Sequence, residues 1–206
     1  MNIGFDVDGV LVDMAGYQLK YGEEYFRKKH LPVRNPSAFD IKDIFECSSE
    51  EREKFWIRYI WKYCLREPMT SGASQLSHKL KEDGHKVTIV TARAHTTEKG
   101  LTGRVFRRML QHWLKKNDFV YDEIYYCSES DSPKDKTDIC INHIVDVLID
   151  DKPENLLSLM GKINIICYSA CWNEGIEPLD PYRVKNMDMV YSRIRELSAR
   201  SSNYDP

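Results

Sequence analysis

From residue 72 onward the chain alternates short apolar runs with longer amphipathic ones, and that alternation leaves few folds open. Residues 72–83 read as a helix with Gly84 as its stop, and 85–91 (HKVTIVT) as a buried strand. A helix over 102–116, a strand over 123–127, a helix over 135–143 and a strand over 145–149 follow. Pro153 opens the next helix, because its missing N–H is spare at a first helical position. A strand over 163–167 and a helix over 181–199 complete the series, with the 201–206 tail expected to fray. At the front, 3–7 form a strand that turns at Asp8-Gly9. Strands alternating with helices predict an α/β fold: a three-layer, Rossmann-like parallel sheet covered on both faces.

Residues 14–68 interrupt the alternation with helices alone. Tyr17, Tyr21 and Tyr25 stand four apart within a helical 14–29. A second helix starts at the Ser48-Ser49-Glu50-Glu51 cap, carries Phe55, Ile57, Tyr59, Ile60 and Tyr63, and stops by Pro68. This segment lies between the first two strands. It is therefore expected to be a small helical cap over 14–68, inserted into a core built from 1–13 and 69–206. Met109, Leu110, Trp113 and Leu114 form a core stripe.

Composition narrows the function. Thirty basic side chains against 32 acidic ones give a net charge of −2. A protein binding nucleic acid polymers by bulk electrostatics would be basic, whereas a small anionic substrate needs only a few local charges. No apolar run approaches the roughly 20 residues that span a bilayer, and the start lacks the pattern of a signal peptide. A cytoplasmic protein with no membrane partner is expected. The six cysteines are scattered without a CxxC pair, which suits reduced thiols better than a metal site. Nothing here selects an oligomeric state; a homodimer is compatible.

The chemistry falls at the strand ends, where ligands bind in an open α/β sheet. The first strand delivers Asp6 and Asp8, the second Thr91 with Arg93 beyond it, and the fourth Asp150 and Asp151. Lys134 and Lys136 begin the helix before the fourth strand. Gathered carboxylates repel unless a cation joins them, and oxygen-only ligands favour a hard ion such as Mg²⁺. A hydroxyl and an ammonium nearby can hold phosphoryl oxygens, and an aspartate can attack phosphorus.

These motifs carry a resemblance. FDVDGVLVDM resembles the DxDG motif of the haloacid dehalogenase-like phosphohydrolases, VTAR at 90–93 their Thr/Ser motif, Lys136 their lysine and LIDDKPEN at 148–155 their acidic motif. Within that superfamily the chain is most similar to the 5′(3′)-deoxyribonucleotidases and their bacterial relatives, although Ala92-Arg93 stand where the better-studied ones carry Ser-Pro. The resemblance implies a Mg²⁺-dependent phosphomonoesterase that forms an aspartyl-phosphate, with a nucleoside monophosphate as first substrate. Asp6 would be the nucleophile and Asp8 the general acid and base. Mg²⁺ would sit on Asp6, the Asp8 main-chain carbonyl and Asp150, with Asp151 behind them. Thr91, Ala92 and Lys136 would hold the phosphoryl group. A sugar-phosphate phosphatase and a catalytically silent interaction protein are the alternatives.

Each residue also has a plainer reading. Asp8-Gly9 is an ordinary turn dipeptide, and Asp150-Asp151 suits a helix start. Lys134 competes with Lys136 for the motif position. Arg93 either reaches the substrate or pairs with a surface acid. Asp13 reads as structural. Trp56 and Trp61 either belong to the packing of the inserted helices or stack on a nucleobase.

Overall fold

A computed structural model describes residues 1–202. Six strands, β1 (Asn2–Phe5), β2 (Lys86–Thr91), β3 (Glu123–Tyr126), β4 (Val147–Asp150), β5 (Asn164–Tyr168) and β6 (Arg183–Val184), form one sheet in the order β3-β2-β1-β4-β5-β6. Every pairing is parallel.

The helices are α1 (Met14–Arg27), α2 (Ile41–Phe45), α3 (Ser49–Arg66), α4 (Ala73–Glu82), α5 (Gly100–Lys116), α6 (Ser132–Asn142), α7 (Pro153–Leu159) and α8 (Met187–Ser202). Alternate residues of each strand face opposite ways, so a sheet buried on both sides needs two apolar sets. Ile3, Phe5, Val87, Ile89, Val147, Ile149 and Ile166 join one cluster with α4, α5 and α8 through Leu80, Leu110, Trp113 and Ile194. Val90, Leu148, Ile165 and Cys167 join the other with α6 and α7 through Cys140, Leu156 and Leu159. The three layers follow from that division. All six cysteines are free thiols, and no described helix is long and apolar enough to cross a membrane.

Between β1 and β2, α1, α2 and α3 pack on one another through rings. Phe26 stacks on Phe45 at 4.7 Å and on Phe55 at 6.1 Å between centroids. A Cβ on Gly22 would lie 2.3 Å from the Phe45 ring, so glycine sets how closely α1 and α2 approach. The apolar cluster of these helices is continuous with that of the sheet.

The structure departs from the sequence reading at several boundaries. The last helix begins at Met187 rather than residue 181. Residues 177–182 form a 3₁₀ turn containing Pro181, after which β6 pairs with β5. The Arg183 guanidinium anchors this stretch on Asp180 Oδ1 at 3.1 Å and on the Asn173 carbonyl at 2.7 Å. α6 starts three residues early, with Pro133 in its first turn. The five-residue α2 is too short for a periodicity signal, although Asp40 caps it by accepting from the Lys42 N–H at 2.8 Å. α8 ends at Ser202, and residues 203–206 of the tail expected to fray lie outside the described residues.

Candidate active site

β1 occupies the middle of the sheet, with β2 on one side and β4 on the other. The chain reverses its direction of travel across the sheet at this point, and such a reversal opens a crevice at the strands' carboxyl ends. Asp6 follows β1 directly, Thr91 is the last residue of β2 and Asp150 the last of β4. The Asp6 N–H donates to the Ile149 carbonyl at 2.9 Å, which extends the ladder to the rim. A tight turn follows. Gly9 takes φ +86°, and a Cβ there would stand 2.1 Å from Asp151 Oδ2. Only glycine satisfies both demands, so Gly9 is what lets the acidic pair lie against the first turn.

Lys136 rises from α6 into the floor of the crevice and is fully buried. Its Nζ lies 2.5 Å from Asp150 Oδ2 and 3.0 Å from Asp6 Oδ2. Lys134, one helical step away, is exposed. Of the two lysines, it is Lys136 that reaches the strand-end carboxylates. Asp150 is saturated: beside Lys136 it accepts from the Lys152 N–H at 2.8 Å and from Asn155 Nδ2 at 3.2 and 3.1 Å. Asp151 is equally buried, yet its Oδ2 has no partner among the described residues, and neither have Asp6 Oδ1 and the Thr91 hydroxyl. One oxygen each of Asp6, Asp150 and Asp151 lies within 4.8 Å of the others.

The electrostatics follow from this crowding. Burial pushes the Asp6 carboxyl up to about 7; Lys136 opposes the rise, and Asp150 and Asp8 add to it. Burial, then Asp150 and Asp6, raise Asp151 well above the usual carboxylate range. Burial works against the Lys136 charge, but Asp150 and Asp6 more than offset it, so the ammonium is held above its ordinary value. The pocket holds more carboxyl groups than one lysine keeps ionised.

Asp8 stands higher in the crevice and is half-buried. Its Oδ1 accepts from the Tyr63 hydroxyl at 2.6 Å and lies 3.6 Å from Arg93 Nη1. Arg93 is 3% exposed, beneath the Tyr63 ring at 4.8 Å and beside Trp113 at 5.7 Å. Pairing with a surface acid is therefore excluded for Arg93: α3 and α5 cover it, and the acid it meets is Asp8. Asp13 caps α1, accepting from the Gly16 N–H at 2.8 Å. Above these groups opens a cleft of about 920 Å³, walled on the helical side by Met14, Trp56, Ile57, Ile60 and Trp61 and reaching Ala92 and Lys136 below. Trp56 is half-buried and Trp61 is 51% exposed.

A family model described as "5' nucleotidase, deoxy (Pyrimidine), cytosolic type C protein" matches residues 1–202. The chain belongs to this family. The chain is similar to a "Putative 5'(3')-deoxyribonucleotidase" of Chlorobaculum tepidum, at 26% identity over 94% of the chain and 89% of the relative. Its fold is similar to that of a "predicted phosphatase" from Clostridium acetobutylicum, with a TM-score of 0.66, 17% identity and coverage of 95% and 98% of the two chains. It is also similar to a D,D-heptose 1,7-bisphosphate phosphatase from B. bronchiseptica solved with magnesium and phosphate, with a TM-score of 0.55, 13% identity and the same coverages. The chain is a haloacid dehalogenase-like phosphoric monoester hydrolase.

Two site contacts were not visible in the sequence. Tyr63 sits at helical spacing among packed aromatics, so nothing marked it as the partner of Asp8. Asn155, two residues past Pro153, read as part of a helix start, yet it holds both Asp150 oxygens and accepts from the Ser132 hydroxyl at 2.9 Å.

Proposed function

We propose that the chain hydrolyses phosphomonoesters through an aspartyl-phosphate on Asp6 with Mg²⁺ as its cofactor, and that nucleoside monophosphates, deoxy forms included, are its first substrate class. The supporting observation is the set of unpartnered buried oxygens at one rim: Asp6 Oδ1, Asp151 Oδ2 and Thr91 Oγ1. A buried polar atom left unpaired costs about 1–3 kcal/mol, so three at one point fit a site completed by ligands. An all-oxygen donor set suits a hard cation.

Mg²⁺ would be held by Asp6, Asp151 and the Asp8 main-chain carbonyl. This differs from the assignment that the sequence resemblance implies, with Asp150 as direct ligand. Both Asp150 oxygens are already taken by Lys136, Asn155 and the Lys152 N–H. We assign to Asp150 the task of fixing Lys136, and to Asp151, whose Oδ2 is free, that of binding the ion. When bound, the ion supplies positive charge beside the transferring phosphoryl group.

The chain's own groups do the rest. The Asp6 carboxylate attacks phosphorus while Asp8 gives its proton to the departing alkoxide oxygen. Lys136, the Thr91 hydroxyl and the Ala92 N–H donate to the phosphoryl oxygens as charge builds on them. Asp8, now a carboxylate, takes a proton from the water that attacks the phosphorus and releases Asp6. The aromatic wall of Trp56 and Trp61 offers π faces to a base, and a deoxyribonucleotidase name among the relatives agrees with that choice. Arg93 lines the same cleft, and its guanidinium nitrogens are buried without a hydrogen-bond partner among the described residues, so it keeps the substrate contact that the sequence offered it.

The test is phosphate release from a panel of nucleotides and sugar phosphates, with and without a chelator. Chelation abolishes turnover, Mg²⁺ restores it, and Asp6→Asn lowers kcat by about three orders of magnitude or more in a folded protein. Turnover indifferent to chelator, or retained in Asp6→Asn, refutes the mechanism. A clear preference for sugar phosphates refutes the substrate class alone.

A further inference from the structure

The loop carrying Asp8 and the helix carrying Tyr63 belong to different parts of the chain, 55 residues apart. The Asp8 main chain is set by the turn after β1, where the Gly9 N–H donates to the Val12 carbonyl at 2.9 Å. Its side chain is set from above. The Tyr63 hydroxyl bonds Oδ1 at 2.6 Å, and Arg93 Nη1 approaches the same oxygen to 3.6 Å. No described residue bonds Oδ2. The Tyr63 ring is itself immobilised, 3% exposed and packed on Tyr17 at 4.8 Å, Trp56 at 5.8 Å and the Arg93 guanidinium at 4.8 Å.

A carboxylate rotates freely about its last bond unless one oxygen is held, and proton transfer needs the other oxygen within hydrogen-bond reach of the reacting atom. We propose that Tyr63 is a positioning residue for this reaction: by holding Oδ1 it presents Oδ2 to the leaving oxygen and later to the attacking water. The general acid is thus completed by α3, and a docked helical insert is a condition for proton transfer as well as for substrate binding. Its hydroxyl is spent on Asp8, so Tyr63 acts through that carboxyl. The inference rests on the acid–base role of Asp8 proposed above.

Tyr63→Phe removes the hydroxyl and keeps the ring. Two substrates separate the outcomes. A nucleoside monophosphate has a poor leaving group that requires Asp8's proton; p-nitrophenyl phosphate releases a stable phenolate without one. On the nucleotide, Tyr63→Phe is expected to lower kcat about tenfold or more while KM stays within about threefold. On p-nitrophenyl phosphate, its first equivalent of nitrophenolate appears as a burst at the wild-type rate and a slower steady state follows, because water attack still requires the aligned Oδ2. The ratio of first-turnover rates on the two substrates is independent of the folded fraction, so partial unfolding of the variant does not obscure it. An unchanged or raised kcat on the nucleotide, or equal first-turnover losses on both substrates, overturns the inference. Asp8→Asn is the control for the underlying mechanism. If it is fully active, the acid–base role itself fails; if it is inactive while Tyr63→Phe behaves as wild type, only the positioning role fails.

Discussion

The strand-end rim and the helical insert meet at one cleft but are held together by different forces. At the rim, Asp6, Lys136, Asp150 and Asp151 are buried charges from three separate segments, and Lys136 bridges two of the carboxylates. In the insert, rings do the work: Phe26, Phe45, Phe55, Tyr17 and Tyr21 lie in a mesh of contacts between 4.4 and 6.1 Å, and the insert's ion pairs lie at the surface. The rim places charge where phosphate chemistry needs it and carries a desolvation cost for doing so. The insert gains stability from buried area, and is free to vary the groups it shows to the cleft without disturbing the charges below.

The largest break in that contrast should come from Lys136→Met. It keeps the length and removes the charge, leaving Asp6 and Asp150 to face each other in a buried site. Urea denaturation of the metal-free variant should show a loss of about 3–5 kcal/mol, along with loss of turnover. A loss below about 1 kcal/mol would mean that the rim charges are far better solvated than their burial implies.

The two tryptophans should then separate within the insert. Trp61 is half in solvent, so Trp61→Ala is expected to raise KM for a nucleotide about tenfold, the size of one lost base stack, with Tm unchanged. Trp56 packs on Phe55 at 5.2 Å and Tyr63 at 5.8 Å, so Trp56→Ala should raise KM and also cost about 1–3 kcal/mol of stability. Loss of stability without a change in KM for both would assign the aromatic wall to packing alone.

The smallest effect belongs to a surface ion pair. Glu51 on α3 accepts from Lys29 at 2.9 Å, and that bond, against a weaker opposing effect of burial, holds its carboxyl below the ordinary value. A depressed folded value stabilises above the unfolded one, near 4.5, and that stability disappears as pH falls through the depressed value. Glu51→Gln should therefore lower Tm slightly at pH 7, less in high salt, with the gap closing in acid. A gap that persists unchanged at pH 3 would trace the stability to packing of the side chain instead.

Much of the architecture was legible because burial on both faces of a parallel sheet writes itself as continuous apolar runs such as HKVTIVT, and helical stretches write themselves as spaced stripes such as Met109 to Leu114. α2 and β6 were not legible. Five residues and two residues carry no period, and each exists only because a neighbour, Asp40 or β5, completes its hydrogen bonds.

At the site the division runs along the same line. Sequence alone determined that carboxylates and a hydroxyl end up at strand termini, with a lysine on the helix before the fourth strand, because strand ends are local features and the parallel order aligns them. It also offered the family through motifs in a set order. Tertiary structure decided what each oxygen is free to do: that Lys136 and not Lys134 is enclosed, that Asp150 is saturated while Asp151 Oδ2 is open, and that Tyr63 reaches across 55 residues to Asp8. Occupancy of a hydrogen-bonding atom depends on which distant side chains enclose it, and nothing in the residues next to it along the chain records that.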